Sequence, residues 1–479
     1  MRCPRLLVGS LLCAAAAACS FAPPYKVPAT VKAPEQYKEA GDWELAQPQD
    51  AAPRGSWWAL YGDTELTALE EKIQGSNLTL KAAFERLEYA RAQYRIARAD
   101  LFPSATADSY AARERFSTNA PKEIPGYPML LNDFLLGADF SYEVDLWGRV
   151  RNEVAAARAG RQASAADLAS IELSLRAQLA EDYFNLRASD AQIKLLDQTS
   201  EDYRRSLDLV TSLFKGGAAA LADVAQAQAQ LDNALTQAAE ARLQRAQAEH
   251  AIAVLVGENP STFSLTANAL PIDVAPPPID PGLPSTLLER RPDIAEAERR
   301  VAAANAQIGV ARAAYFPSFT LAATGGFEST RTSNLLSAPS RFWSVGPQVS
   351  LPIFEGGRLV AQTAQAKASY EEQVADYRNT VLTAYQDVED NLAALRQLQA
   401  ESNSDAAAVQ ATSTALQQEQ DRYQAGIVTF LDVAVAETAA LQAQISAVNI
   451  QARRMSSSVL LIKALGGGWQ TPLVPIDRR

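Results

Sequence analysis

The sequence predicts an α+β membrane protein made of two copies of one unit, in which a helix, a β-hairpin and a long pair of helices follow one another. Three observations lead to this prediction. The motifs of one half recur in the same order in the other half, each half contains segments that alternate between apolar and polar residues, and each half contains a very long run without proline.

The N-terminus has the pattern of a secretory signal peptide over residues 1–18. Two arginines precede an apolar stretch from Leu6 to Ala18, which is shorter than the roughly 20 residues that a helix needs to span a bilayer. Small residues lead directly into Cys19, which resembles the lipobox of bacterial lipoproteins, where the cysteine receives a diacylglycerol group and an N-acyl chain. Ser20, in place of the Asp that retains lipoproteins in the inner membrane, implies an outer-membrane lipid anchor. An ordinary signal peptide with an accidental cysteine is the alternative.

The composition argues against several classes of function. The net charge of −11 argues against a nucleic-acid partner, which requires basic patches. The single histidine, His250, falls on a helical stretch where packing is the simpler role, and the sequence has no nucleophile elbow, phosphate loop or cluster of metal ligands. Cys3 and Cys13 lie in the leader, so Cys19 has no partner for a disulfide. We therefore expect no enzyme, no metal and no cofactor apart from the acyl chains on Cys19.

The internal repeat is defined by motifs that keep one order and nearly one spacing. Chance similarity between alanine-rich helices is the alternative, but it would not preserve turns, strands and helix ends together. The matching pairs are residues 97–104 with 311–318, Gly148-Arg149 with Gly357-Arg358, Gly217 with Gly426, Asp223-Val224 with Asp432-Val433, and Gly257 with Gly466.

These matches and the proline-rich tracts between them divide the chain. Prolines cannot continue a helix, so the tracts predict an extended arm and an extended linker. The predicted segments are a signal peptide (1–18), a lipidated N-terminal arm (19–64), repeat 1 (65–258, hairpin about 103–147), a Pro-rich equatorial linker (259–284), repeat 2 (285–467, hairpin about 317–354) and a C-terminal tail (468–479).

The hairpin regions alternate with the period of a β-strand. From Phe134 to Leu146 one parity is apolar, whereas the other carries Asp139, Glu143 and Asp145. Strands of about ten residues with one polar face suit a transmembrane barrel with a wet lumen, and a soluble sandwich is the alternative. Four strands cannot close a barrel, since about eight is the usual minimum. If these strands cross a membrane, the chain must therefore oligomerise.

The helical regions are too long for an ordinary globular domain. The runs from Arg149 to Phe214 and from Arg358 to Tyr423 contain no proline and predict helices of roughly 100 Å at about 1.5 Å per residue. Shorter helices are predicted after each turn, over about 221–256 and 430–465, and before each hairpin, over about 65–100 and 286–314. Alanine dominates their apolar residues, which favours a thin wall of closely packed helices built by several chains.

In these motifs the chain resembles the TolC-like outer-membrane factor family, and within it the lipoprotein branch that includes NodT and OprM. The resemblance covers nearly the whole mature chain. It rests on Pro24-Tyr25-Lys26-Val27-Pro28, on the Phe-Pro-Ser motif before each hairpin, on Asp145-Leu146-Trp147-Gly148-Arg149, and on Ala464-Leu465-Gly466-Gly467-Gly468-Trp469.

The resemblance implies a homotrimer in which a twelve-stranded transmembrane β-barrel is continuous with a long periplasmic α-helical barrel. It implies a lipid-anchored protein of the cell outer membrane with a periplasmic extension. The family's members are passive ducts, which receive substrate from an inner-membrane efflux pump, here expected to be of the RND type, through a periplasmic adaptor (membrane fusion) protein. Outer-membrane lipid is the remaining expected partner.

The family's gate lies at the periplasmic helix turns, and the resemblance places four residues of this chain in it. Leu431 falls on an apolar constriction and Asp432 on an acidic ring, while Tyr423 falls on a tyrosine that latches to the first turn, where Asp223 matches its partner. Two positions depart from the family, since Val435 replaces a second acidic residue and Val428 replaces a latching arginine. The alternative for both aspartates is a charge that stabilises a helix N-terminus.

The function implied is export of small molecules as the outer-membrane component of a tripartite efflux system. A type I protein secretion duct is an alternative, because family members serve both roles. A structural coiled-coil lipoprotein without a pore is a second alternative, against which the alternating strands argue. The sequence does not indicate the transported substrate.

Overall fold

The computed structural model describes residues 20–30, 33–34, 36–40, 56–117, 130–279 and 290–467. The predicted signal peptide, the lipidation site Cys19 and the tail 468–479 lie outside these residues. The protein divides into two units. The strand unit takes its residues from 1–29, 86–165 and 296–377, and the turn unit takes its residues from 30–85, 166–295 and 378–479. Each sequence repeat therefore contributes to both units.

The strand unit contains one antiparallel sheet of four strands in the order β1-β2-β3-β4. The strands are β1 (Ser104–Arg115), β2 (Leu130–Glu143), β3 (Ser318–Ser329) and β4 (Arg341–Ser350). Each predicted hairpin contains two of them. The hairpins of the two repeats are joined by β2 and β3, where Gly137 lies opposite Gly326. The duplication thus forms one continuous sheet whose outer strands are β1 and β4.

The sheet exposes large apolar side chains that a water-soluble protein would bury. Those in β2 lie on the parity that the sequence predicts to be apolar. Trp343 is 78% exposed and Val345 is 69% exposed. The others are Tyr110, Leu130, Leu136, Phe140, Leu321 and Val349. A patch of this kind marks a surface that contacts lipid or another chain.

Residues 20–29 of the N-terminal arm are extended and pack within the strand unit. The ring of Phe21 stacks on Phe316 with 4.4 Å between ring centroids. The Ser20 hydroxyl donates to the Asn152 side chain at 3.1 Å, and the Tyr25 hydroxyl donates to the Glu298 carboxylate. These contacts hold the residue that directly follows Cys19 at a defined position.

The motif Asp145-Leu146-Trp147-Gly148-Arg149 forms the junction between β2 and the long helix that follows it. The Trp147 indole donates to the Pro317 carbonyl at 2.7 Å. The Arg149 guanidinium pairs with Glu153 at 2.7 Å, and Arg151 pairs with Asp145 at 3.1 Å. These contacts give the motif a structural role at the point where strand becomes helix.

The helices of the two repeats correspond in length. After each hairpin come a helix of 67 residues and a helix of 35 residues. No helix in the described residues is long and apolar enough to cross a membrane. The helices are α1 (Thr64–Ser76), α2 (Leu78–Ala99), α3 (Arg149–Lys215), α4 (Leu221–Leu255), α5 (Pro292–Ala313), α6 (Arg358–Gln424) and α7 (Phe430–Ala464).

The prediction of one continuous helix over about 65–100 is wrong, because Asn77 separates α1 from α2. Its backbone is extended, with φ −70° and ψ 119°. Its side chain accepts a hydrogen bond from the Leu80 N–H at 2.8 Å and donates one to the Leu255 carbonyl at 2.7 Å. Asn77 therefore caps the start of α2 and the end of α4 at once, and asparagine is favoured at helix starts for this reason.

The second repeat builds the same junction with other residues. Arg291 precedes α5 and donates to the Ala464 carbonyl at 3.2 Å, at the end of α7. Of the second predicted helix, over about 286–314, residues 286–289 lie outside the described part, and α5 covers Pro292–Ala313. The two junctions match in position and in the carbonyl that they satisfy, so the duplication extends to tertiary contacts.

The core of the turn unit is formed by α1, α3, α4 and α7. Leu66 and Ile73 of α1, Leu179 of α3, Ile252 of α4 and Val459 of α7 are fully buried and belong to one cluster. Aliphatic side chains of this size contribute roughly 1.5–3 kcal/mol each when fully buried.

Glu70 of α1 lies on the same buried face and is 0% exposed. The Arg176 guanidinium is 3.6 Å from its carboxylate. Burial nevertheless raises the pKa of Glu70 from 4.5 to about 8, since desolvation disfavours the charged form more than Arg176 favours it. At neutral pH the side chain is therefore protonated.

The Glu70→Gln variant is expected to match the wild type near pH 4.5 and to be more stable at pH 8. The folded-state pKa is raised, so the contribution of Glu70 to stability is full below pH 4.5 and is lost as the pH rises to about 8. Urea unfolding followed by circular dichroism across this range measures the effect. Glu71→Gln, a change at the exposed neighbouring residue, is the control, and equal pH profiles for the two variants would contradict the prediction.

Candidate gate at the helix turns

The two turns between the long helices have the same backbone. The first joins α3 to α4 and the second joins α6 to α7. Each contains a glycine with positive φ, Gly217 at 77° and Gly426 at 73°. The glycine N–H and the next N–H bond back to carbonyls of the preceding helix, as in a Schellman motif. These bonds are Gly217 to Phe214 (2.9 Å), Ala218 to Leu213 (2.8 Å), Gly426 to Tyr423 (2.9 Å) and Ile427 to Arg422 (2.9 Å).

The aspartate in the first turn of each returning helix caps that helix. Asp223 accepts a hydrogen bond from the Ala220 N–H at 3.0 Å. Asp432 accepts from the Thr429 N–H at 2.9 Å and from the Thr429 hydroxyl at 2.8 Å. The bonds from Thr429 lower the pKa of Asp432 below its ordinary value. Asp432 is exposed and ionised at neutral pH, so it combines a capping role with a negative charge that faces solvent.

Tyr423 is the second-last residue of α6 and packs against a buried cluster that contains residues of both pairs of long helices. It is half-buried, and its ring meets Phe430 edge-on with 5.8 Å between ring centroids. Burial raises the pKa of the Tyr423 hydroxyl, and the nearby charge of Asp223 raises it further. The structure therefore brings the predicted latch pair, Tyr423 and Asp223, into one neighbourhood.

Leu431 is 55% exposed, so it is not packed against the first turn within this chain. Other exposed apolar residues surround the same turns. They are Leu221 (64%), Ile427 (67%) and Val435 (62%). Val435, which replaces a second acidic residue of the family, therefore adds an apolar side chain to this surface.

Behind the turns, a small cluster joins the two repeats. Val210 and Ala227 from the first pair of helices pack with Phe430 and Ala434 from the second pair. The Gln230 amide donates to the Ala434 carbonyl at 2.8 Å. The sequence interpretation missed these residues, although Phe430, Ala434, Glu437 and Leu441 repeat at helical spacing and so indicate a buried face.

The side chains at the turns can act through their charge and through apolar contacts. The carboxylate of Asp432 attracts cations and repels anions, while the exposed apolar residues can meet copies of themselves in an assembly. The described residues hold no group of three or more side chains suited to a metal ion.

Comparison with known proteins identifies a protein family and solved structures with a similar fold. The family model of the outer membrane efflux proteins matches residues 69–258 and 283–467. ArpC, an antibiotic efflux pump outer membrane protein of Pseudomonas putida, is 34% identical over 464 residues, which cover 94% of this chain and 93% of ArpC. The outer membrane protein OprJ of Pseudomonas aeruginosa is 33% identical over 477 residues, 98% of this chain and 97% of OprJ.

Among solved structures, the outer-membrane channel OprN superposes with a TM-score of 0.86 at 31% identity, over 95% of this chain and 100% of the OprN chain. The fold class predicted from the sequence is confirmed by this likeness, since strands and long helices follow in the same arrangement.

Proposed function

The chain belongs to the outer membrane efflux protein family and is an outer-membrane efflux channel protein, and we propose that it is the passive, non-enzymatic exit duct of a tripartite efflux system. Three copies form the duct. Small molecules enter it from an inner-membrane pump, of the RND type, through a periplasmic adaptor protein.

The open four-stranded sheet carries this proposal. Within the described residues its outer strands β1 and β4 each have one edge without a partner strand, and its apolar side chains are exposed. Unpaired strand edges are not tolerated in lipid, so other copies must supply the missing partners. Three copies with four strands each give 3 × 4 = 12 strands, enough to enclose a polar lumen.

Export of small molecules is preferred to protein secretion. ArpC is named for antibiotic efflux, and it matches this chain over nearly its whole length. A protein secretion duct would differ in its pump and adaptor. Purification of the crosslinked protein from its native cells, followed by mass spectrometry of the partners, distinguishes the two: an RND-type pump supports efflux, and a transporter with a protein substrate supports secretion.

The gate of the duct is proposed to lie at the two turns. Around a threefold axis Asp432 would form one acidic ring and Leu431 an apolar constriction, while Tyr423 and Asp223 hold the second turn to the first. Two observations support this assignment: Leu431 is exposed, and Asp223 is close enough to Tyr423 for its charge to act on the Tyr423 hydroxyl.

The purified protein is expected to form channels in planar lipid bilayers, with a preference for cations that the Asp432→Ala variant reduces severalfold. A ring of fixed negative charge favours cations at a constriction. Asp232→Ala, at an exposed residue of α4 away from the turns, is the matched control and should keep the wild-type preference. If neither the wild type nor Asp432→Ala conducts, the duct is wrong, and a soluble, barrel-free trimer after delipidation would support a structural lipoprotein.

A diacylglycerol group and an N-acyl chain on Cys19 are proposed to anchor each copy in the outer membrane. Each buried CH₂ group contributes roughly 0.8 kcal/mol, so several chains hold the N-terminus durably. Mass spectrometry of the mature protein should find Cys19 as the N-terminal residue with the added mass of the acyl chains. An unmodified N-terminus at another residue would exclude the anchor.

A further inference from the structure

Glu437 is a buried acid at the point where the two pairs of long helices meet. It lies on α7 about two turns after Phe430, on the face that packs inward, and it is 5% exposed. An acidic side chain is rarely buried to this extent unless it has a partner. None of the roles assigned to the turns above uses this residue.

The surroundings of Glu437 come from the three other helices of the turn region. Ser206 of α3, Gln230 of α4 and Gln420 of α6 lie within hydrogen-bonding reach of its carboxyl group. Among the described residues, one carboxyl oxygen of Glu437, Oε2, has no hydrogen-bond partner although it is buried. Glu437 thus lies at a junction of α3, α4, α6 and α7, directly behind the proposed gate.

The charged and titratable groups that face Glu437 are acidic or weakly acidic. Asp202 of α3 acts on it as a like charge, and α4 and α6 present the neutral amides of Gln230 and Gln420. Tyr203 of α3 also faces it, since burial and the charge of Glu437 both raise the pKa of that hydroxyl. Burial above all, and then Asp202, raise the pKa of Glu437 from 4.5 to about 7. The side chain therefore exchanges its proton near neutral pH.

We propose that Glu437 is a proton-sensitive lock on the gate, which holds the second pair of helices against the first when protonated and loosens that junction when ionised. The neutral carboxyl group can donate to and accept from the neighbouring amides and the Ser206 hydroxyl, and it places no charge in the buried junction. The ionised group is repelled by the charge of Asp202, which lies on the exposed side of α3. It gains from hydration, which requires the helices to separate. This inference rests on the proposed duct function.

The sign of the pH effect follows from the two states. In the closed state Glu437 is buried with its pKa raised to about 7, whereas separation of the helices exposes it and returns it toward 4.5. The closed state is therefore fully stabilised below pH 4.5, and this stabilisation is lost as the pH rises to about 7. One unit of pKa difference corresponds to a factor of ten in the equilibrium, so the open fraction should rise at least about tenfold between pH 5 and pH 8.

The test is the open probability of the purified, full-length trimer in planar bilayers from pH 5 to pH 8. Wild type should open more as the pH rises. Glu437→Gln, which stays neutral, should remain closed with a flat pH profile. Asp202→Asn removes the like charge and should make the rise smaller, ending at lower pH. Glu240→Gln, at an exposed residue of α4, is the control and should keep the wild-type profile.

The outcomes separate the lock from the duct. A flat wild-type profile, or a Glu437→Gln variant that keeps the wild-type rise, overturns the lock and leaves the duct in place. The absence of conductance in every variant, Asp432→Ala included, overturns the duct and with it the lock. Folding of each variant is checked by trimer mobility and circular dichroism, and Asp202→Asn keeps the lock testable if Glu437→Gln does not assemble.

Discussion

Replacement of Asp190 by alanine is expected to lower the free energy of unfolding by about 3–5 kcal/mol, because it removes a buried carboxylate that pairs with two guanidinium groups at once. Asp190 lies on α3 and its side chain is 2% exposed. It pairs with Arg187 of the same helix at 3.2 Å and with Arg245 of α4 at 2.6 Å. The Arg187 side chain is 3% exposed, so solvent cannot replace the lost carboxylate.

The same network attaches the proline-rich linker to the helices. The Asn268 N–H donates to Asp190 at 2.9 Å, while Arg187 donates to the Thr266 carbonyl at 2.7 Å and Arg245 to the Leu265 carbonyl at 2.7 Å. Loss of Asp190 therefore removes the hydrogen bond from Asn268 and leaves Arg187 paired only with Glu65 and Arg245 only with Glu249 among the described carboxylates. Asp190→Asn keeps an acceptor for the Asn268 N–H and should fall between the wild type and the alanine variant.

Asp197→Ala is the matched control, on the same helix. Asp197 pairs with Arg242, but the two side chains are 51% and 52% exposed. Exposed ion pairs contribute less than about 1 kcal/mol. Urea unfolding of the detergent-solubilised protein, followed by circular dichroism, measures both variants. Equal losses for Asp190→Ala and Asp197→Ala would show that the buried network does not hold this region together.

The second large effect is expected for Gly257→Ala, at the end of α4, with a loss of about 2–5 kcal/mol. Two causes add. The backbone has φ +71°, a conformation that costs a residue with a Cβ roughly 1–2 kcal/mol. A Cβ would also lie 2.3 Å from the Ser76 carbonyl oxygen, and overpacking of this kind costs about 1–3 kcal/mol.

Gly217→Ala separates the two causes, since Gly217 has φ +77° and nothing within 4 Å of a Cβ. It should show the backbone cost alone, about 1–2 kcal/mol. Gly466→Ala tests the duplication, because a Cβ there would lie 2.2 Å from the Arg290 carbonyl oxygen. The same unfolding experiment applies. If Gly217→Ala and Gly257→Ala lower the free energy of unfolding equally, the close approach to Ser76 does not contribute to the effect.

The bounds of the four helices that follow the hairpins could be predicted from the sequence, because the residues that begin and end these helices lie within them or next to them in the chain. Gly217 and Gly426 adopt the positive φ that ends a helix, and Asp223 and Asp432 start the next one. The strands were also predictable, since a period of two marks β2, β3 and β4 clearly and β1 more weakly. The break at Asn77 was not predicted. Asparagine is tolerated within helices, and its capping role here depends on the Leu255 carbonyl, which is distant in the chain.

The sequence by itself thus determined the repeat, the helix and strand segments and the family, because these depend on periodicity, on turn chemistry and on motifs that can be compared between the two halves. Only the tertiary structure decided which charges are buried. Glu70, Asp190 and Glu437 look like any other acid on an alanine-rich helix, and their burial depends on the other helices that pack against them. Burial sets the strength of an ion pair and the pKa of a carboxyl group, so the proposed lock at Glu437 became visible only when α3, α4, α6 and α7 were placed around it.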